Sequence, residues 1–137
     1  LDLPFYETGR YRQFRAGQLS YFRILEARAY SGRGQPANAS RAMAHAASEE
    51  SVWGRAARHW VLRQPASELS ASLATRDCAR IAEASFLIGE AYRLGGIEAM
   101  AREHFQVCIE PYYERALFAR LAQTQLDRLT EVPAEPE

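Results

Sequence analysis

Apolar residues along this chain recur at intervals of three and four rather than two, so helices are expected throughout and no segment reads as a convincing strand. After Pro4, an aromatic and basic segment, FYETGRYRQFR, is expected to stop near Gly17. Leu19, Phe22, Leu25, Ala29 and Tyr30 then mark a helix over 18–31, ending at Ser31-Gly32-Arg33-Gly34. Pro36 and Asn38 open the next helix, which runs to Ala47 on Ala39, Met43 and Ala46; proline in a first turn loses no needed hydrogen bond. Ser48 is a candidate N-cap for a helix from Glu49 to Arg63, with Val52, Trp53, Ala56, Ala57, Trp60 and Val61 on its apolar face and Pro65 beyond its end. Leu69 and Leu73 mark a weaker helix over 66–76, and a break at 75–77 leaves Asp77 to cap a long helix to Leu94. Pro111 is expected to start a last helix to about Thr130, with Ala116, Leu117, Leu121, Ala122 and Leu129 inward. The expected organisation is one helical domain over 1–130, followed by a disordered tail, EVPAEPE, over 131–137.

Residues 82–115 carry a more specific pattern. Gly95-Gly96 separates two helices, and Ile97, Met100, Ala101, His104, Phe105 and Cys108 form one stripe on the second. Gly89 leaves a gap on the first helix, Ala101 permits close approach, and Tyr92 and Phe105 fill the space between. Ile88, Gly89, Tyr92, Ala101 and Phe105 stand at the spacings of W-x2-L-G-x2-Y and A-x3-F, so the segment resembles a tetratricopeptide repeat. Ser85 replaces the tryptophan of that pattern, and Tyr113 stands in the proline slot, with Pro111 two residues early. Ala27, Tyr30, Ala39 and Met43 repeat the spacing weakly in 18–47, whereas 49–76 hardly matches. The resemblance implies an all-α fold, an α-solenoid of about three helix-turn-helix pairs over 18–47, 49–76 and 78–110 with a C-terminal capping helix.

Charge balances, with 17 basic and 17 acidic residues, so no bulk attraction to nucleic acid or membrane follows. Residues 1–63 hold ten arginines against five acids and 64–137 seven against twelve, a polarised chain. All 17 basic residues are arginine, and 24 alanines accompany them, a bias of the kind a GC-rich bacterial genome produces. Bacterial cytoplasm and periplasm or cell envelope both stay open. No run of 18 apolar residues is present, so no transmembrane segment is expected. His45, His59 and His104 fall in separate helices without metal or catalytic spacing, and each reads as a partly buried helix residue; no enzyme activity, metal or cofactor is expected. Cys78 and Cys108 read as small buried helix residues, with a disulfide between repeats the alternative. Arg10, Arg12 and Arg15 interleave with Tyr11 and Phe14 in a manner that suits single-stranded nucleic acid, but without a second basic cluster the segment reads as an amphipathic helix and no nucleic-acid partner is expected.

In the family resembled, the first helix of each pair lines a concave groove for an extended peptide or a partner's helix. Transferred to this chain, that face holds Glu83, Phe86, Glu90 and Arg93 on the third pair. It holds Tyr21, Ile24 and Arg28 on the first pair, Arg55, Arg58 and Leu62 on the second, and Leu117, Arg120 and Thr124 on the cap. Arginines there either clamp a partner's carboxylates or simply form a solvated helix face. The implied function is a scaffold or adaptor for a protein or peptide partner of acidic character, with a homodimer through the N-terminal Phe5, Tyr6, Tyr11 and Phe14 in view. A regulatory sensor domain is the alternative, holding a small ligand or signal peptide in a pocket lined by Trp53, Trp60 and Tyr92.

Overall fold

The computed structural model describes residues 9–109 and 117–130, and every regular element among them is helical. In chain order these are α1 (Gly9–Gly32), α2 (Pro36–Ala47), α3 (Val52–Val61), a 3-10 turn (Ala66–Glu68) leading into α4 (Leu69–Leu73), α5 (Cys78–Leu94), α6 (Glu98–Cys108) and α7 (Leu117–Thr130). The start expected at Pro111, Ala116, the tail over 131–137, and Phe5 and Tyr6 lie outside the described residues. No described helix is long and apolar enough to cross a membrane.

Two boundaries differ from the sequence expectation. Gly17 does not end a helix; α1 runs through it, because packing against α2, α3 and α5 outweighs the roughly 1 kcal/mol that an interior glycine costs. Ser48 does not cap α3 either. Its hydroxyl donates back to the His45 carbonyl at 2.7 Å, and the cap is Ser51, whose Oγ accepts from the Gly54 N–H at 3.0 Å. Glu49 and Glu50 therefore lie in the turn before the helix. That turn is tight: a Cβ on Gly54 would stand 1.9 Å from the Glu49 carbonyl oxygen, so only glycine fits. Asp77 caps α5 as expected, with Oδ1 accepting from the N–H groups of Ala79 at 3.1 Å and Arg80 at 3.3 Å.

Three helix ends are built alike. The chain leaves α1, α3 and α5 through a residue with positive φ: Gly34 at 71°, Arg63 at 54° and Gly96 at 80°. The next N–H donates to the carbonyl five residues back, Gln35 to Tyr30 at 2.9 Å, Gln64 to His59 at 3.1 Å and Ile97 to Tyr92 at 2.9 Å. On this register Ala27, Ala56 and Gly89 are equivalent, and each is the small residue over which the following helix or turn closes. The second unit, hard to see in sequence, is thus legible in its turn. Its second helix is reduced to the 3-10 turn and α4, where Leu69 and Leu73 are fully buried.

α1 packs on α2, α5 on α6, and α2 on α3, around a core that includes Ile24, Met43, Ala57, Leu87, Tyr92 and Phe105. α7 lies on α6 and α5 through Ala119, Ala122, Leu126 and Leu129. Leu117 and Leu121, expected inward, are 65% and 39% exposed. Helices α1 and α5 also touch directly. Tyr21 meets Glu83 and Arg28 meets Glu90, each pair 62 positions apart, so the two helices run parallel.

Candidate binding cleft

The register of the three turns explains a gap in the molecule. Twenty-nine residues separate Tyr30 from His59, and 33 separate His59 from Tyr92. Val52, where α3 begins, therefore corresponds to Ser85 of α5, yet α5 starts seven residues earlier at Cys78. About two turns that α1 and α5 possess are missing from α3. Their place is an open cleft of about 640 Å³, bounded by Gly17, Gln18 and Tyr21 of α1, Glu50, Ser51, Val52, Trp53 and Arg55 around the start of α3, and Arg80 and Glu83 of α5.

The cleft combines an aromatic floor with charged walls. Tyr21 and Trp53 meet edge to face at 4.8 Å between ring centroids, a favoured aromatic geometry. The Tyr21 hydroxyl donates to Glu83 Oε2 at 2.7 Å. Burial and that bond to a carboxylate push the Tyr21 pKa up to about 12, so the phenol stays neutral. Arg55 pairs with Glu50 at 2.9 Å. The Arg80 guanidinium lies over the Trp53 ring at 5.8 Å and makes no ion pair among the described residues.

The eight residues placed on the inner face by sequence separate into distinct groups. Arg55 and Glu83 line the cleft. Arg28, Glu90 and Arg93 form a second cluster farther along the α1–α5 seam: Arg28 Nη2 is 3.3 Å from Glu90 Oε2, and Arg93 Nε is 2.9 Å from Glu90 Oε1. Glu90 is 1% exposed, and the charge it brings into the seam is matched by two guanidiniums that still reach water. The bond to Glu90 raises the Arg93 pKa further above its ordinary value. Arg58 Nη1 donates to the carbonyls of Ala47 at 2.8 Å and Glu49 at 3.3 Å, closing the C-terminal end of α2, where a cation is favoured. Phe86 is buried between Phe105 and Phe118, at 5.8 Å and 5.6 Å. Arg120 is exposed on α7.

Trp53 and Arg80 were not on the sequence-derived inner face as partners of one site. Their signal was the short link between α2 and α3, which pulls the Trp53 turn to the end of its helix and uncovers it. Trp60 and Tyr92, grouped with Trp53 in the pocket expectation, pack on each other at 5.9 Å beneath Arg63, apart from the cleft.

The histidines depart from partial burial. His45 is exposed, whereas His59 and His104 are fully buried with rings in edge contact at 5.4 Å. His59 Nδ1 lies 3.2 Å from Ser72 Oγ and His104 Nδ1 3.0 Å from the Met100 carbonyl, while both Nε2 atoms lack a partner among the described residues. No group of three or more His, Cys, Asp or Glu among the described residues is arranged to hold a metal ion. Cys78, expected buried, is exposed at the start of α5; Cys108 is buried, its thiol donating to the Ala82 carbonyl at 3.2 Å, and both are free. Comparison with protein-family models, with curated proteins and with solved structures finds no match to this chain.

Proposed function

We propose that this chain is a non-catalytic adaptor, a short α-solenoid of three tetratricopeptide-like helix pairs closed by α7, that holds an acidic peptide or protein segment in the cleft between α1, α3 and α5. The repeated turns at Gly34, Arg63 and Gly96 support the three-pair reading. The cleft then falls on the side formed by the first helix of each pair, where a repeat array presents its partner-binding surface. One observation carries the acidic preference: Arg80 stands over Trp53 at the cleft wall with its charge unpaired, while Arg55 is already held by Glu50. The arginine-for-lysine bias supports a bacterial source. Exposure of Leu19 and Phe22 on α1, 47% and 59%, supports pairing of two copies along that helix.

The test is selection of peptides from a random library on the immobilised protein, followed by titration of each winner against tryptophan fluorescence. Winners are expected to be rich in Asp and Glu and to lose about tenfold in affinity to Arg80→Glu. Winners indifferent to Arg80, or none at all, remove the adaptor reading of this cleft.

A further inference from the structure

The cleft has the dimensions of what α3 lacks, and that relation identifies the form of its occupant. Helices α1 and α5 continue past the level at which α3 begins, so the space between them is walled by two parallel helices spaced to receive a third. The far end of that space is the start of α3. There Ser51 is the cap and its side chain serves Gly54, so the N–H groups of Val52 and Trp53, first and second in the helix, have no intrahelical acceptor. The sides are Tyr21 on α1 and Arg80 and Glu83 on α5, with Trp53 beneath.

We infer that the cleft seats a helical segment of a protein partner, about two turns long, which lies between α1 and α5 as a continuation of α3 and completes the shortened middle unit. This rests on the adaptor reading above and adds the bound conformation. The seat dictates the segment's chemistry. One face is apolar, to cover Tyr21, Val52 and the edge of Trp53; an acidic side chain meets the Arg80 guanidinium. The carbonyl groups of its last turn point at the free N–H groups of Val52 and Trp53, a head-to-tail alignment that also suits both helix dipoles. An extended peptide in the same place offers alternate side chains to the two walls and leaves those N–H groups to water.

Three measurements on the intact chain decide the matter, using the library-selected peptides as probes. Cross-linking a winner between side chains four apart to fix it as a helix is expected to tighten binding severalfold, by removing the ordering entropy. A central proline is expected to weaken it by about 100-fold, because proline disrupts the helix interior. Gly17→Phe fills the mouth from a helical position where a Cβ would meet Ser51 Cβ only at an ordinary 3.8 Å, so the variant keeps its fold, confirmed by circular dichroism, and loses binding about tenfold or more. Winners that need Arg80 yet tolerate the central proline and are weakened by the helical cross-link overturn the helical occupant while leaving the adaptor reading intact. Winners that bind Gly17→Phe unchanged place their site elsewhere and overturn both. Displacement of the winners by the synthetic octapeptide LDLPFYET reassigns the cleft to the chain's own residues 1–8, and their loss on dimerisation reassigns it to a second copy; either result overturns the proposal.

Discussion

Gly89 on α5 lies directly under the ring of Phe105 on α6: a Cβ built on the glycine would stand 2.7 Å from Cε1 and 2.8 Å from Cδ1. Phe105 is fully buried and also packs on Phe86 at 5.8 Å, so its ring has nowhere to retreat. Gly89→Ala tests which of two effects wins. Alanine gains about 1 kcal/mol in helix propensity over glycine. Overpacking a filled site costs about 1–3 kcal/mol. The expected result is net destabilisation of about 1 kcal/mol, read as a lower urea midpoint with an unchanged slope. In a Phe105→Leu background the same substitution is expected to become neutral or stabilising, because the atoms it strikes are gone. An equal loss in both backgrounds would falsify the steric account.

The start of α3 shows what sequence could and could not settle. Ser48 and Ser51 are both acceptable caps by residue type, and Glu49 and Glu50 favour the earlier one, since acids belong in a first turn. The deciding feature is the contact of Gly54 with the Glu49 carbonyl, a tertiary packing relation that no local preference encodes. Ser51→Ala is therefore expected to cost about 1 kcal/mol and Ser48→Ala, on an exposed hydroxyl, only a few tenths. Equal losses measured by urea denaturation would return the cap to Ser48.

The same limit applies to α7 and to the cleft. Leu117, Leu121 and Arg128 lie on one side of α7, and Ala119, Ala122, Leu126 and Leu129 on another; both offer leucines, and the second is buried because it meets α6 and α5. The packing positions Ile88, Gly89, Tyr92, Ala101 and Phe105 were legible because each requires a particular size. Arg28, Glu90 and Arg93 were legible as neighbours on an inner face, but their mutual pairing was not. Direct contact of α1 with α5 depends on how far α3 extends between them, and that followed from the cap.

Arg63 occupies the left-handed position that Gly34 and Gly96 fill in the sister turns, with φ of 54°. Its guanidinium lies over the rings of Trp60 at 4.7 Å and Tyr92 at 5.4 Å. The strain of a side chain at this φ, about 1 kcal/mol, is offset by cation–π attraction of similar size. Arg63→Gly removes both and is expected to change stability by less than about 0.5 kcal/mol. Arg63→Ala keeps the strain and loses the attraction, and is expected to cost about 1 kcal/mol relative to glycine. If alanine proves as stable as glycine in thermal melts, the backbone is not strained there.

Acid stability is expected to depend on the histidine pair. Burial lowers the pKa of both imidazoles, His104 to about 4 from an ordinary 6.5; the Met100 carbonyl partly opposes this, and the neighbouring His59 adds to the lowering. Around the pair, Glu68 favours the charged form of His59, while Arg63 and Glu103 act on the adjoining Tyr92. Between pH 6.5 and 4 the unfolded chain binds the His104 proton and the folded chain does not. The stability contribution is thus fully present above pH 6.5 and is lost as pH falls towards 4, about 3 kcal/mol from His104 alone. His104→Gln cannot take up that proton, so the difference in stability between wild type and variant is expected to shrink by this amount from pH 7.5 to pH 4.5. Urea titrations across that range measure the difference, and NMR of the imidazole C–H signals locates each midpoint. A gap that stays constant with pH, or a His104 midpoint above pH 6, would show that the buried ring is solvated and free to charge in the folded state.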